Sequence, residues 1–272
     1  MLIVSSEPLV PFDARKPSIA RAYDYILGGK DNFAADRELV ARILEVFPLS
    51  GVLVRENRQF LARAVDYVAR QGVLQFIDVG SGLPTSPSTH EMAGLVSPDA
   101  RVVYVDNDPV AISHTAALIA SRGRGRVAAV PGDVCRPDAI LASSGLTAVI
   151  DLTKPFCVVL GMILDFIEPA RAADSVATFR HAMPPGSFLI LSIGINNDTP
   201  DVAELVIEKY TAGTVHVHCR EQTASYFTGL EIAEPGLTEA RHWRSPVREA
   251  GTGEESRTAS LLAGVGRKVS RD

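Results

Sequence analysis

Cysteine is scarce in this 272-residue chain, and the three present, Cys135, Cys157 and Cys219, are far apart and odd in number. That argues against a disulfide framework and suits reduced thiols. Basic residues hold no majority: 27 Lys and Arg face 32 Asp and Glu, for a formal net charge of -5. No global attraction to nucleic acid or to an anionic membrane is expected. Long apolar runs are missing too, since the longest, Phe156 to Leu164, is far too short to span a bilayer. The stretch "MLIVSSEPLVPF" has no basic region ahead of an apolar core and cleavage site, so no signal peptide is expected and the cytoplasm is the expected compartment.

Several active-site signatures are also missing. No Gly-x-Ser-x-Gly elbow precedes a helix, which disfavours Ser-His-Asp hydrolysis. Gly29-Lys30 lacks the flanking residues of a phosphate loop, because Asp24 and Asp31 stand where a glycine and a Ser or Thr are needed. His216, His218 and Cys219 lie close together without a second ligand pair nearby, so no metal site is expected.

What is present is an ordinary globular composition, 46% hydrophobic and 22% charged. From about Leu74, short apolar runs alternate with helical patterns. "VLQFIDVG", "RVVYVDND", "RVAAVPGD", "PFCVVLGMIL" and "SFLILSIG" are five strand candidates. Ser88 and Glu91 have capping-box spacing, Asp108-Pro109 supplies a helix cap and first-turn proline, and Thr199-Pro200 opens a helix to about Lys209. In the tail, "LEIAEPGLTEARHWR" and "SRTASLLAGVGRK" look like two strands around the loop "EAGTGEE", an antiparallel pair closing the sheet. The expected fold is α/β, a Rossmann-like doubly wound, mostly parallel, seven-stranded sheet. Residues 1–72 are expected to form a helical cap over the sheet's carboxyl edge, and residues 73–272 the main domain.

Ligands of such sheets bind outside the carboxyl ends of the strands. Four ends carry unusual residues here. In "DVGSGLPT", Gly80 and Gly82 permit a tight turn and close approach of a ligand to the backbone. Asp78 would repel a pyrophosphate, and Thr85 stands at the third glycine of a dinucleotide fingerprint, so a cationic ligand with an ammonium and a sulfonium suits this loop better. Asp106 ends the second strand, where an acid can accept both hydroxyls of a ribose, and Asp133 could receive an adenine amine. Gly161 leaves backbone space at the end of the fourth strand, or simply packs there.

In this order and spacing the motifs resemble the Rossmann-like methyltransferases that use S-adenosyl-L-methionine (SAM). Asp78-Val-Gly80-Ser81-Gly82 looks like their first motif, Asp106 with Asn107 like their ribose-binding end, and Gly132-Asp133-Val134 like their adenine-side motif. Pro84 departs from the third glycine of many members. "YDYILGGKDNFAADRE", "DVGSGLPTSPSTHE" and "VVYVDNDPV" together look like a bacterial, largely actinobacterial, family of S-adenosyl methyltransferases first catalogued as a domain of unknown function. The resemblance implies SAM as cofactor and methyl transfer as the reaction.

Tyr23 to Phe33 is then expected to fold over the cofactor, with Gly28-Gly29 as the bend and Tyr25, Lys30 or Asn32 touching SAM or the acceptor. The alternative is that these glycines end a helix. His90, expected to face the cleft, and Asp165 are candidate bases. Tyr226 and Phe227 either line an acceptor pocket or belong to the core. A small-molecule acceptor is the expected partner. A SAM-binding regulatory protein without turnover and an NAD(P)-dependent oxidoreductase are the competing functions.

Overall fold

The computed structural model describes residues 13–122, 126–196, 208, 212–216, 218–246 and 259–270. Three helices come first, α1 (Ile19–Ile26), α2 (Ala34–Val46) and α3 (Ser50–Arg70). The apolar runs then become parallel strands β1 (Gln75–Val79), β2 (Arg101–Asp106), β3 (Val127–Pro131), β4 (Cys157–Gly161) and β5 (Phe188–Asn196). Between them lie α4 (Thr89–Val96), α5 (Pro109–Arg122), α6 (Pro137–Ala142), α7 (Ser144–Thr147) and α8 (Pro169–Ala182). β1 is buried along its whole length and β4 up to Leu160. Phe76, Cys157 and Val159 enter the core on one face of the sheet, and Ile77, Val158 and Leu160 enter it on the other. Cover on both faces is why these strands read as nearly continuous apolar runs.

The expected helix caps are present. The Ser88 hydroxyl accepts from Glu91 N, while Ser88 N donates to Glu91 Oε2 at 2.8 Å. Asp108 Oδ1 accepts from Val110 N at 2.8 Å.

The short helix α9 (Arg220–Ser225) leads into β6 (Leu230–Ile232), β7 (Thr238–Glu239) and β8 (Ala259–Lys268). Strand order is β3-β2-β1-β4-β5-β8-β6, with β7 paired to β8. Among the described residues this gives eight strands where seven were expected. The segment from Leu230 splits in two because Gly236, at φ 90°, turns the chain between β6 and β7. The tail forms the expected antiparallel pair at the end of the sheet, with β8 lying antiparallel between β5 and β6. The expected helix from Thr199 to Lys209 and the loop Glu249–Glu255 lie almost wholly outside the described residues.

α3 differs from the cap expected of it. Leu53, Val54, Asn57, Phe60, Leu61, Ala64, Val65 and Val68 are its buried stripe at helical spacing. That stripe lies against one face of the sheet beside Trp243, whose ring meets Phe60 edge-on at 5.4 Å and Tyr67 at 5.8 Å. Arg63 locks the contact by donating to the carbonyls of Trp243 (2.7 Å) and Ala240 (2.6 Å).

α1 and α2 pack on one another and on α3. A buried ion pair holds their approach: Arg21 Nε donates to Asp36 Oδ2 at 2.9 Å, and Asp36 Oδ1 accepts from Ser18 N at 2.8 Å. Asp36 is fully buried, and removing one partner of such a pair leaves an uncompensated charge.

Candidate active site

The chain runs outward from β1 to β3 and then crosses back to β4, so the topology reverses between β1 and β4. A cavity of about 500 Å³ opens at that edge, within the range of small-molecule sites. Asp78, Gly80, Ser81, Gly82, Asp106, Asn107, Asp133, Val134 and Gly161 all line it. The sequence motifs thus converge on one space.

Its floor is built around the glycine turn. Gly80 has φ 69° and Gly82 φ 65°, both in the left-handed region. A Cβ at Gly80 would lie 2.4 Å from Ile163 Cγ1, so only glycine lets the turn fit under the β4 loop. Asp106 secures the other side, its Oδ2 accepting from Gly82 N at 2.7 Å and its Oδ1 from Asp108 N at 2.8 Å. Burial pushes its carboxyl up to about 6, against the opposing pull of those hydrogen bonds. Each carboxylate oxygen has a second lone pair for a ribose hydroxyl. Asp78 accepts from Thr89 Oγ1 at 2.5 Å, and burial raises its carboxyl while Thr89 and the nearby Arg58 charge lower it. Asp133 Oδ1 accepts from Cys135 N at 2.9 Å, a turn that presents the loop after β3.

Gly132 sits beside the cavity rather than in its wall. A Cβ there would meet Val105 Cγ1 at 2.7 Å, so its role is close packing behind the adenine-side loop. Gly161 combines both readings: it lines the cavity, and a Cβ would meet Leu61 of α3 at 2.8 Å.

Other expectations are corrected. Gly28, at φ 83°, directly follows the end of α1 and acts as its terminator. The loop after it wraps the Asp24 carboxylate, whose Oδ2 accepts from Asp31 N (3.1 Å) and Asn32 Nδ2 (3.0 Å). Lys30 and Asn32 are not among the residues lining the cavity, and neither is Tyr25, which is exposed. The segment over the mouth is instead 13–23, with Tyr23 inside. It is pinned by Ser18 Oγ donating to Asp108 and by Arg21 Nη1, 3.7 Å from the same carboxylate.

His90 does not face the cleft as expected. It lines a smaller recess behind the glycine turn, where its Nδ1 is 2.8 Å from Tyr104 Oη and 3.1 Å from Ser88 Oγ. Asp165 is buried away from the cavity; Oδ1 accepts from Gly194 N at 2.7 Å, Oδ2 has no partner, and burial pushes the carboxyl up to about 7. Tyr226 and Phe227 are core residues. His218 is buried beside them, its Nδ1 3.1 Å from Tyr226 Oη and its Nε2 3.2 Å from Leu164 O. Among the described residues no cluster of three His, Cys, Asp or Glu could hold a metal.

Sequence reasoning missed the contribution of α3 and the β4 loop. Asn57, Arg58 and Leu61 enter the cavity from α3, and Met162, Ile163, Phe166 and Ile167 from beyond β4. Asn57 Nδ2 donates to Tyr23 Oη at 2.9 Å, and Asn57 Oδ1 accepts from Ser192 Oγ at 2.6 Å. Met162 holds φ 53°, a strained conformation for a non-glycine residue and one that concentrates at functional sites. A polar residue at the Asn57 position of an apolar stripe was the available signal.

A glycine turn on β1, a buried acid ending β2 and an enclosed crevice at the reversal point define a SAM-dependent methyltransferase. The S-adenosyl methyltransferase family model matches residues 6–269, and the chain belongs to that family. It is 36% identical to a protein of Thermobifida fusca assigned provisionally as a methyltransferase, with 95% of this chain and 97% of that one covered at a TM-score of 0.87. It is 34% identical to a DUF574 family protein of Streptomyces avermitilis, covering 94% of this chain and 99% of that one at 0.85. An O-methyltransferase family protein of Burkholderia thailandensis shares the fold at 16% identity and a TM-score of 0.50, with 86% and 72% covered. A search of curated proteins finds no match. SAM is the cofactor, and Asp78, Gly80–Gly82, Asp106 and Asp133 suit its cationic, hydroxyl-rich and amine-bearing parts.

Proposed function

We propose that the protein transfers the methyl group of SAM to a small-molecule acceptor in the cytoplasm. The supporting observation is enclosure: segment 13–23 and α3 cover the strand ends, leaving a cavity of about 500 Å³ rather than an open face. The net charge of -5 agrees with an acceptor other than nucleic acid. Among the described residues no helix is long and apolar enough to cross a membrane.

When bound, SAM supplies a methyl group on a sulfonium, open to in-line displacement by the acceptor's lone pair. The chain's contribution is alignment and charge placement. Asp106, Gly82 and Asp133 hold the nucleoside end; Leu61, Met162, Ile163 and Phe166 supply apolar walls that exclude water; Tyr23 Oη and Asn57 give the acceptor polar contacts. Among the described residues no histidine lines the cavity, and each carboxylate there accepts at least one hydrogen bond. In this reading the acceptor arrives already nucleophilic, and His90 and Asp165, which do not line the cavity, take no proton from it.

The test is incubation of the purified protein with radiolabelled SAM and separated cell-extract fractions. Label moving into a dialysable product, with equimolar S-adenosylhomocysteine formed, supports the proposal. Label found only in macromolecules overturns the small-molecule acceptor. Tight SAM binding with no label transferred to any fraction would support the non-catalytic reading instead.

A further inference from the structure

Among the described residues, the cavity holds a cation with no counter-ion in salt-bridge range. Arg58 projects from α3 to line both the large cavity and the recess behind the glycine turn. Its Nη2 donates to the carbonyls of Thr85 (3.2 Å) and Pro87 (2.7 Å), which fixes the guanidinium in place. Nε is buried with no hydrogen-bond partner, and among the described residues Nη1 has no acceptor and no carboxylate stands within 4.0 Å. Arg58 is half-buried, and the guanidinium donors it leaves unpaired are free to meet an anion in the cavity.

Asp78 is the mirror image. It is buried, lines the same two spaces and takes one hydroxyl, from Thr89, and among the described residues no cation stands in salt-bridge range. The two charges are near enough for Arg58 to oppose the upward push of burial on Asp78, yet they are not paired. A separated cation and anion flanking a glycine turn match a ligand end bearing an ammonium and a carboxylate on one carbon. The other charged side chains at the cavity are placed differently. Arg21 is paired with Asp36, Asp13 with Arg15, and Lys16 is exposed at the mouth.

We propose that Arg58 is the anchor for the carboxylate of the SAM amino-acid moiety and the residue that makes the site prefer SAM to adenosyl ligands lacking that group. This rests on SAM as the cofactor but not on the identity of the acceptor. Arg58 also holds the Thr85–Pro87 backbone, so a loss of affinity alone would not separate anchoring from loop support.

Calorimetric titrations with two ligands separate them. S-adenosylhomocysteine carries the amino-acid group; 5′-methylthioadenosine has the same nucleoside and a thioether but no amino-acid group. Arg58→Met is expected to weaken S-adenosylhomocysteine about 10- to 100-fold, the range for a lost charge-assisted hydrogen-bond pair. It should leave methylthioadenosine within about twofold, showing that the nucleoside site is intact. Arg58→Lys should recover part of the loss, and Lys16→Met should change neither ligand. Equal weakening of both ligands, no weakening of either, or carboxylate selectivity that follows Lys16 overturns the proposal. So does a wild-type protein that binds neither ligand, which would also remove the cofactor assignment. Ligand selectivity as expected, without methyl transfer to any fraction, would leave this inference standing and defeat the proposed function alone.

Discussion

Ser192 on β5 donates to Asn57 Oδ1 on α3 at 2.6 Å, joining two buried polar side chains that lie 135 residues apart. The pair fixes α3 over the end of β4, where Gly161 is the register partner of Ser192. Asn57→Leu keeps the branched shape but removes the acceptor of the Ser192 hydroxyl and the donor to Tyr23 Oη, which keeps its bond to the Val54 carbonyl. Stability should fall by about 1–3 kcal/mol, read as a lower urea midpoint at unchanged slope. A double-mutant cycle with Ser192→Ala should return a coupling of at least about 0.5 kcal/mol; strict additivity would mean that the contact carries no energy.

Asp106 serves the fold and the ligand together. Asp106→Ala should weaken SAM binding by roughly 1.5–3 kcal/mol, about 10- to 150-fold, through loss of charge-assisted hydrogen bonds. Its ionised form is the acceptor, and burial lifts its carboxyl to about 6. Affinity should therefore hold above that pH and decline as pH drops through it. Wild-type affinity that is flat from pH 5 to pH 8 would contradict this.

Asp165 gives stability the opposite pH slope to a paired carboxylate. Its folded carboxyl titrates at about 7, raised from 3.8 by burial. The folded state thus holds the proton more tightly than the unfolded one. The stabilisation is complete below about 4 and is lost as pH rises toward 7, up to about 4 kcal/mol in all. Asp165→Asn keeps an acceptor for Gly194 N and cannot ionise. Its melting temperature should exceed wild type by several degrees at pH 8 and match it near pH 4. Methyl transfer should persist; abolished turnover with normal SAM binding would restore Asp165 as a base.

Gly80 and the Gly28–Lys30 bend should separate cleanly. Gly80→Ala meets both a φ of 69° and Ile163 at 2.4 Å, which together cost more than about 2 kcal/mol and distort the turn. Ile163→Ala in the same chain removes Cγ1 and Cδ1 but leaves Cβ 2.9 Å away, so it should relieve part of the clash and none of the backbone strain. Lys30→Ala, outside the cavity, should leave SAM affinity unchanged within about twofold of wild type, the scatter of an exposed substitution. A large loss there would return the bend to the site.

The strand ends were legible because each carried its own chemical oddity. Asp78 interrupts an apolar strand, Gly80 and Gly82 follow it at once, and Asp106 closes a run of valines and a tyrosine. β1, β2, β4 and β5 were legible because cover on both faces demands apolar residues nearly throughout, whereas β3, at the sheet edge, is mostly half-buried. What the sequence did not disclose is rotational. Tyr23 and Tyr25 are two positions apart on α1, so their side chains point about 200° apart. Which one faces inward depends on how α1 lies on α3. Thr89 and His90 differ in the same way: the first reaches Asp78 and the second turns to Tyr104. Arg58 was hidden for another reason. Its role depends on α3 crossing the sheet beside Trp243, a contact between residues far apart in the chain that local periodicity does not encode.

The antiparallel insertion of β8 bears on biosynthesis. Residues 259–268 leave the ribosome after every other described strand, yet they hydrogen-bond along the full length of β5 and bridge it to β6. Until they arrive, the nascent chain displays a nine-residue apolar edge from Phe188 to Asn196, a template for pairing with other chains. A stop near Thr258 would remove β8 and leave the β5 edge open to aggregation.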